Sequence, residues 1–171
     1  MDTNGALEKA YKCDGAYLLA VCRRYVCNDA TAEDMLQEGF VTAFLNFDKF
    51  RDKGPGSLRA WLSRIMATTC LHYLRRNDVL RDCDPLESVD YRLAQDDSLT
   101  RRVDGIGSGE LYNMVLSLPH AERLVVDLLL FEDFSRSEAA EMLGLKVGTV
   151  NMRLHRARAH LAEMILNYER K

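Results

Sequence analysis

Proline is scarce in this chain, with three residues in 171, so little interrupts helices of several turns. Runs that alternate apolar and polar residues are few, which argues against a β-sheet fold. No apolar stretch approaches the ~20 residues that a membrane-spanning helix needs, so no membrane insertion is expected. The first residues, Met-Asp-Thr-Asn-Gly, lack the basic and apolar regions of a secretory leader. Histidine is limited to four scattered residues, and the five cysteines (13, 22, 27, 70 and 83) form no Cys-x-x-Cys pair. That spacing fits reduced thiols in a cytoplasm better than a disulfide scaffold or a zinc site. Cys22 and Cys27 lie among apolar helix residues and read as small buried hydrophobes. No glycine-rich phosphate cradle and no catalytic constellation is visible. The chain reads as a non-enzymatic cytoplasmic protein, with no cofactor and no metal.

The net charge of −3 would not by itself draw the chain to a nucleic acid. Its distribution points the other way. Residues 49–76 carry 7 basic residues against 1 acidic, and residues 142–171 carry 6 against 2. The stretches 1–48, 77–110 and 111–141 are all net acidic. Two basic segments set apart by acidic ones suggest two nucleic-acid contacts held by something other than the whole-molecule field.

The second basic segment contains the most informative stretch, residues 135–161. Ser135 followed by Glu138 is a capping box that starts a short helix. Gly144 is a natural C′ residue, because glycine enters the left-handed conformation without steric cost. A longer helix then runs from about Val147, with Val150, Leu154, Ala157, Leu161, Met164 and Ile165 on one stripe. Gly148, Met152, His155 and Arg156 fall opposite, and Thr149 and Arg153 lie on the flank. A capped helix, a glycine turn and a basic helix form a helix-turn-helix, whose second helix fits a DNA major groove. An ordinary helical hairpin with a solvated basic face is the plainer reading.

The N-terminal half contributes three helices. One covers 6–27, broken near Gly15, with Ala16, Leu19, Ala20, Arg23 and Val26 on one face. Thr31 caps the next, in which Ala32, Met35, Leu36, Gly39, Phe40, Ala43, Phe44 and Phe47 form a core stripe. Asp34, Gln37 and Glu38 project from its other side. A basic, glycine-containing turn (48–57) leads into a third helix, about Leu58 to Arg76. Leu58, Trp61, Leu62, Ile65, Thr69 and Tyr73 can share its buried face. Trp61 sits mid-stripe, which makes it a core residue rather than a base-stacking platform. Residues 77–109 read as an acidic flexible linker with a short helix possible at 99–103. Beyond it, Leu111, Met114, Val115 and Leu118 form a short helix that Pro119 ends. Leu124, Val125, Leu128, Leu129 and Phe131 form the next. The expectation is an all-α chain: a helical domain at 1–76, a flexible linker at 77–109 and a helix-turn-helix domain at 110–171.

The order of these pieces resembles the extracytoplasmic-function sigma factors, small two-domain specificity subunits of bacterial RNA polymerase. In the first half the resemblance rests on Ala32-Glu-Asp-Met-Leu-Gln-Glu-Gly-Phe40, Gly56-Ser-Leu-Arg-Ala-Trp-Leu-Ser-Arg-Ile65 and Leu74-Arg-Arg76. In the second half it rests on Leu118-Pro119, Arg123, Glu138-Ala-Ala-Glu-Met-Leu-Gly144, Gly148-Thr-Val150 and Leu154-His-Arg-Ala-Arg158.

The resemblance implies a division of labour. Asp34, Gln37 and Glu38 would dock on core RNA polymerase. Lys49, Arg51, Lys53, Arg59, Arg64, Thr68, Arg75 and Arg76 would hold the melted −10 element, with the 49–57 loop wrapping an extruded base. Lys146, Thr149, Met152, Arg153, His155 and Arg156 would read the −35 element. It also implies promoter DNA and an anti-sigma factor as partners. Thr68 stands where many relatives have Asn, and His72 where many have an acid; Ala139 replaces a bulkier aliphatic. The alternatives are a stand-alone helix-turn-helix transcriptional regulator and a helical adaptor without DNA binding. The acidic 34/37/38 face and the 49–76 basic segment favour the sigma reading.

Overall fold

A computed structural model describes residues 3–26, 28–77 and 107–169. Every regular element among the described residues is helical, and the chain divides into two compact units, Met1–Leu80 and Arg81–Lys171. The expected linker at 77–109 and the short helix expected at 99–103 lie almost wholly outside the described residues.

The first unit is a three-helix assembly of α1 (Thr3–Tyr25), α2 (Asp29–Leu45) and α3 (Ser57–Arg76), with every pair of helices in contact. No break occurs at Gly15. A glycine costs a helix about 1 kcal/mol relative to alanine, less than burying one large apolar side chain returns. The buried face of α1 is rotated from expectation. Leu7, Ala10, Leu18, Val21, Cys22 and Tyr25 are buried, whereas Ala16 and Arg23 are exposed. Residues 16–22 are apolar nearly all round, so the two neighbouring helices select the face.

Helix α2 starts earlier than expected. Asn28 is its N-cap, and its side chain accepts a hydrogen bond from the Thr31 backbone N–H at 3.2 Å. Thr31 therefore lies inside the helix. Ala32, Met35, Leu36, Gly39 and Ala43 are buried as expected. Phe40 is half-buried, edge-on to Tyr11 at 5.2 Å. Phe44 breaks the expected stripe, with 52% of its surface exposed.

At Gly39 the α2 backbone lies against α3: a Cβ there would overlap the Met66 sulfur. Met66 is fully buried, so its thioether end would have to shift inside a packed core. Gly39→Ala is therefore expected to destabilise the first unit by about 1–3 kcal/mol, the usual cost of overpacking. Chemical denaturation followed by circular dichroism measures this; an unchanged midpoint would show that Met66 repacks freely.

Helix α3 buries a broader arc than the apolar stripe indicates. Leu62, Ser63, Met66, Ala67, Thr69, Cys70, Leu71 and Leu74 are buried, while Leu58, Trp61, Ile65 and Tyr73 are only half-buried. Packing by α1 on one side and α2 on the other explains the shift. Small residues such as Ser63 and Ala67 become the contact points. Trp61 joins Phe47 (6.0 Å between ring centroids) and Phe50 (5.4 Å) in an aromatic cluster beneath the 46–56 turn.

The thiols of Cys22 and Cys70 hydrogen-bond each other in this core, and neither residue has any exposure. That hydrogen bond, and after it burial, push the Cys70 thiol far above its ordinary range. Thiolate, the reactive form, is then absent at neutral pH. Iodoacetamide at about pH 8 is expected to label exposed Cys13 and spare Cys22 and Cys70 until denaturant is added. Peptide mass mapping reads the result; labelling of Cys70 as fast as Cys13 would mean that the core opens readily.

The second unit comprises α4 (Ser108–Leu116), α5 (His120–Val126), a π-turn (Asp127–Phe131), α6 (Arg136–Leu143) and α7 (Val147–Glu169). Pro119 is the N-cap of α5 rather than its first residue. Leu124, Val125, Val126 and Leu128 are buried, but Phe131 leaves the core at the π-turn. The Arg123 guanidinium donates to the Leu116 carbonyl at 3.0 Å, tying α4 to α5. His160 Nδ1 lies 2.7 Å from Glu122 Oε2, tying α5 to α7. The capping box forms as expected: Glu138 N–H donates to Ser135 Oγ (3.2 Å), and Ser135 N–H donates to Glu138 Oε2 (2.7 Å). Gly144 adopts φ +66°, and Leu145 N–H donates back to the Ala140 carbonyl at 2.8 Å. Ala139 and Ala140 pack fully inside. On α7, Val150, Leu154, Ala157 and Ile165 are buried, with Leu161 and Met164 half-buried.

Candidate nucleic-acid interface

The basic turn between α2 and α3 is built by its own backbone. Asp52 accepts hydrogen bonds from Gly54 N–H (2.9 Å) and Ser57 Oγ–H (2.9 Å). Those two bonds, the backbone one first, hold its carboxyl below the usual carboxylate range. The depressed value means that these bonds favour the ordered turn at neutral pH and lose that effect as pH falls through the folded value. Gly54 (φ +110°) and Gly56 (φ +84°) occupy conformations closed to most side chains. Lys49, Arg51 and Lys53 are exposed around this turn. Lys49 Nζ donates to Asn46 Oδ1 at 2.6 Å, and Arg51 donates to the Phe50 carbonyl at 3.0 Å. Arg59 donates to Asp14 Oδ1 at 2.8 Å and lies over the Tyr17 ring at 5.5 Å. A cleft of about 390 Å³ separates this turn from Lys9, Cys13 and Asp14 of α1.

Along α3, Arg64 and Thr68 are half-buried, and Arg75 and Arg76 are exposed. The Thr68 hydroxyl donates to the Arg64 carbonyl at 2.8 Å, so in this state it has only acceptor capacity left for a base. Arg75 and Arg76 share a second cleft, of about 450 Å³, with His72 and with Glu38 of α2.

Asp34, Gln37 and Glu38 are all exposed on the outer face of α2. The row does not end there. Val41 (59% exposed), Phe44 (52%) and Leu45 (72%) continue it at helical spacing. Sequence reasoning missed these three, because Phe44 is equally well spaced for the Phe40 stripe. The residues 34, 37, 38, 41, 44 and 45 nonetheless span one side of a helical wheel, and that was the available signal.

On α7, Lys146 is exposed, while Thr149, Met152, His155 and Arg156 are half-buried around an outward face that Gly148 leaves open. The Lys146 carbonyl accepts from Thr149 N–H (2.9 Å) and Val150 N–H (3.2 Å). Arg153 departs from its expected place on the DNA-facing side. It is only 8% exposed, because its position borders the inward row of Val150, Leu154 and Ala157. Exposed Arg158 and half-buried Asn151 flank the His155 row instead. Among the described residues, no group of three or more His, Cys, Asp or Glu residues is arranged to hold a metal, and no helix is long and apolar enough to cross a membrane.

Comparison with known proteins identifies the family of the chain. The family model described as Sigma-70 region 2 matches residues 10–79, and that described as Sigma-70, region 4 matches residues 108–161. The ECF RNA polymerase sigma factor SigW of Bacillus subtilis is 30% identical over 159 residues, covering 85% of this chain and 81% of its own length. The RNA polymerase sigma-E factor of Streptomyces avermitilis is 33% identical over 149 residues, covering 85% of this chain and 77% of its own length. The ECF RNA polymerase sigma factor SigE of Mycolicibacterium smegmatis is 31% identical over 157 residues; the alignment covers 91% of this chain but only 59% of that protein. A solved structure of the sigma factor RpoE in complex with the anti-sigma factor NepR from Bartonella quintana superposes with a TM-score of 0.51 at 24% identity, over 94% of this chain and 96% of that one. This last likeness supports the fold alone. With both region models matched in order and relatives at 30% identity or more aligned over three quarters or more of their length, the chain belongs to the extracytoplasmic-function family of RNA polymerase sigma factors.

Proposed function

We propose that the first unit docks on core RNA polymerase through the outer face of α2 and holds the −10 element, while the second reads the −35 element. The α2 face carries this reading. Exposed polar residues run into three exposed apolar side chains there, on the unit that also presents the basic turn and the Arg75/Arg76 cleft. A charged row continuing into apolar residues is the surface expected of a protein dock. The basic turn and α3 then supply cations and close backbone approach to the melted strand. The outward residues of α7 enter the major groove, with Arg156 and Lys146 toward phosphates and Met152 and His155 toward base edges. Arg158 joins the phosphate contacts.

No covalent bond changes in this activity, so the protein acts as an initiation factor and works in the cytoplasm with polymerase. An anti-sigma protein is the expected inhibitor, the kind of partner found on the Bartonella quintana RpoE. Transcription of a promoter library by core polymerase tests the reading. With the protein added, start sites sharing two spaced elements are expected; no protein-dependent start site would contradict it.

A further inference from the structure

Helix α7 is held in its unit by two kinds of contact. Val150, Leu154, Ala157 and Ile165 are buried along one side of it. Apolar packing is non-directional, so a stripe of this kind fixes the inward side less sharply than a single well-placed bond does. The bond between Glu122 of α5 and His160 of α7 is directional. His160 Nδ1 lies 2.7 Å from Glu122 Oε2, and a carboxylate oxygen only accepts, so Nδ1–H donates. Glu122 is buried, and the neighbouring Arg123 guanidinium is bonded to the Leu116 carbonyl of α4. The acceptor end therefore has little freedom to follow a moving helix. His160 shares a flank of α7 with Thr149 and Arg156, which precede it by eleven and four residues. A roll of ~20° carries a side-chain tip that lies ~5–6 Å from the axis through about 2 Å. That breaks a hydrogen bond to a base edge, since such bonds span only about 2.7–3.2 Å.

We propose that the Glu122–His160 bond sets the roll of α7, which makes His160 a positioning residue for −35 recognition. In this role it touches no base; it determines where Thr149, Met152, His155 and Arg156 are presented. The inference rests on the −35 reading above and adds to it a contact between two helices. The Gly144 turn fixes α7 at its start, where Leu145 N–H donates to the Ala140 carbonyl. His160 fixes it about 20 Å further along the axis. Two fixed points that far apart define the helix's orientation better than either one alone.

The test uses the full chain bound to core RNA polymerase, with promoter fragments that differ only in the −35 element. The readout is the ratio of affinities for the preferred element and for one with a single substituted base pair, measured well below the melting temperature. One wrong base pair typically lowers affinity about fivefold or more, and in His160→Ala that ratio is expected to fall to about twofold or less. His160→Asn, whose side-chain amide can stand where Nδ1 stands, is expected to restore most of it. A purely structural role would reduce the folded fraction and weaken both affinities equally, leaving the ratio unchanged. An unchanged ratio in His160→Ala therefore overturns the inference, whatever happens to the melting temperature. So does an equal fall in His160→Asn, which would trace the effect to the ring rather than to the bond. If His160→Ala does not fold, because it strips the buried carboxylate of its donor, the Glu122→Gln/His160→Ala double variant removes that charge and gives the same readout. If the wild-type protein shows no −35 preference at all, the −35 reading itself falls and this inference falls with it.

Discussion

Leu45→Asp and Asp34→Arg are each expected to weaken binding to core RNA polymerase at least tenfold while leaving the first unit folded. The expectation follows from exposure. Leu45 contributes little to the core, since 72% of its surface faces solvent, and Asp34 is likewise exposed. Fully burying a leucine against a partner is worth about 1.5–3 kcal/mol, and tenfold in affinity corresponds to about 1.4 kcal/mol. Placing a carboxylate in that contact adds the cost of desolvating a charge, so the aspartate variant should lose more than Leu45→Ala. For Asp34 the physics differs: an isolated surface pair is worth ~1 kcal/mol or less, but reversing the charge turns attraction into repulsion. Asp34→Arg should therefore act mainly through association rate and weaken further at low salt, whereas Leu45→Asp should act through dissociation and be insensitive to salt. Fluorescence anisotropy of labelled protein against core enzyme separates the two. Unchanged affinity in both variants, with normal melting curves, would place the dock elsewhere.

Arg153→Ala and Arg156→Ala are expected to diverge, although both were grouped as −35 contacts by sequence. Arg153 is buried in the second unit and engaged there. Truncating it removes a long packed stem and strands whatever it engages, a loss of about 2–4 kcal/mol. For a domain of this size, that lowers the melting temperature by roughly 10 °C or more. Arg156 is half-buried on the outward side, and its loss should leave melting unchanged. Its effect should appear in DNA: lower −35-dependent initiation, with the salt slope reduced by about 0.9 if one duplex phosphate contact is lost. A stable Arg153→Ala variant with selectively impaired promoter binding would return Arg153 to the DNA-facing surface.

What was legible in the sequence was whatever is decided locally. The capping box at Ser135 and Glu138 and the left-handed Gly144 need no tertiary partner, and both appear where the residues dictate. The core positions Ala32, Met35, Leu36, Gly39 and Ala43 were legible because they repeat at i, i+3 and i+4 with polar residues between them. The face of α3 was not, because small and polar residues share it with the apolar ones. Helix α3 lies against both α1 and α2, so Ser63, Ala67 and Cys70 are buried and the apolar Leu58 and Ile65 are not fully so. Two acceptable caps, Asn28 and Thr31, lie three residues apart, and periodicity alone cannot choose between them.

The site divides in the same way. Which residue types cluster, basic in 49–76 and acidic around 34–38, was visible in composition. Which side chains are spent internally was not. The Thr68 proton goes to the Arg64 carbonyl, the Arg59 guanidinium to Asp14, and Arg153 into the second unit. The Arg59–Asp14 pair joins residues 45 apart in sequence and exists only in the folded unit, whereas the Thr68 bond is made within its own helix. Conversely, Val41, Phe44 and Leu45 are apolar residues that folding leaves outside, and the sequence pattern alone assigned Phe44 to the core.

The most direct measurement compares promoter DNA binding by the protein alone and by the protein saturated with core RNA polymerase, in one buffer at one salt concentration. Weak, salt-sensitive and sequence-indifferent binding alone, with tight promoter-specific binding in the complex, is the predicted result. A tight, sequence-specific complex formed without polymerase would contradict the account and identify the chain as a stand-alone regulator.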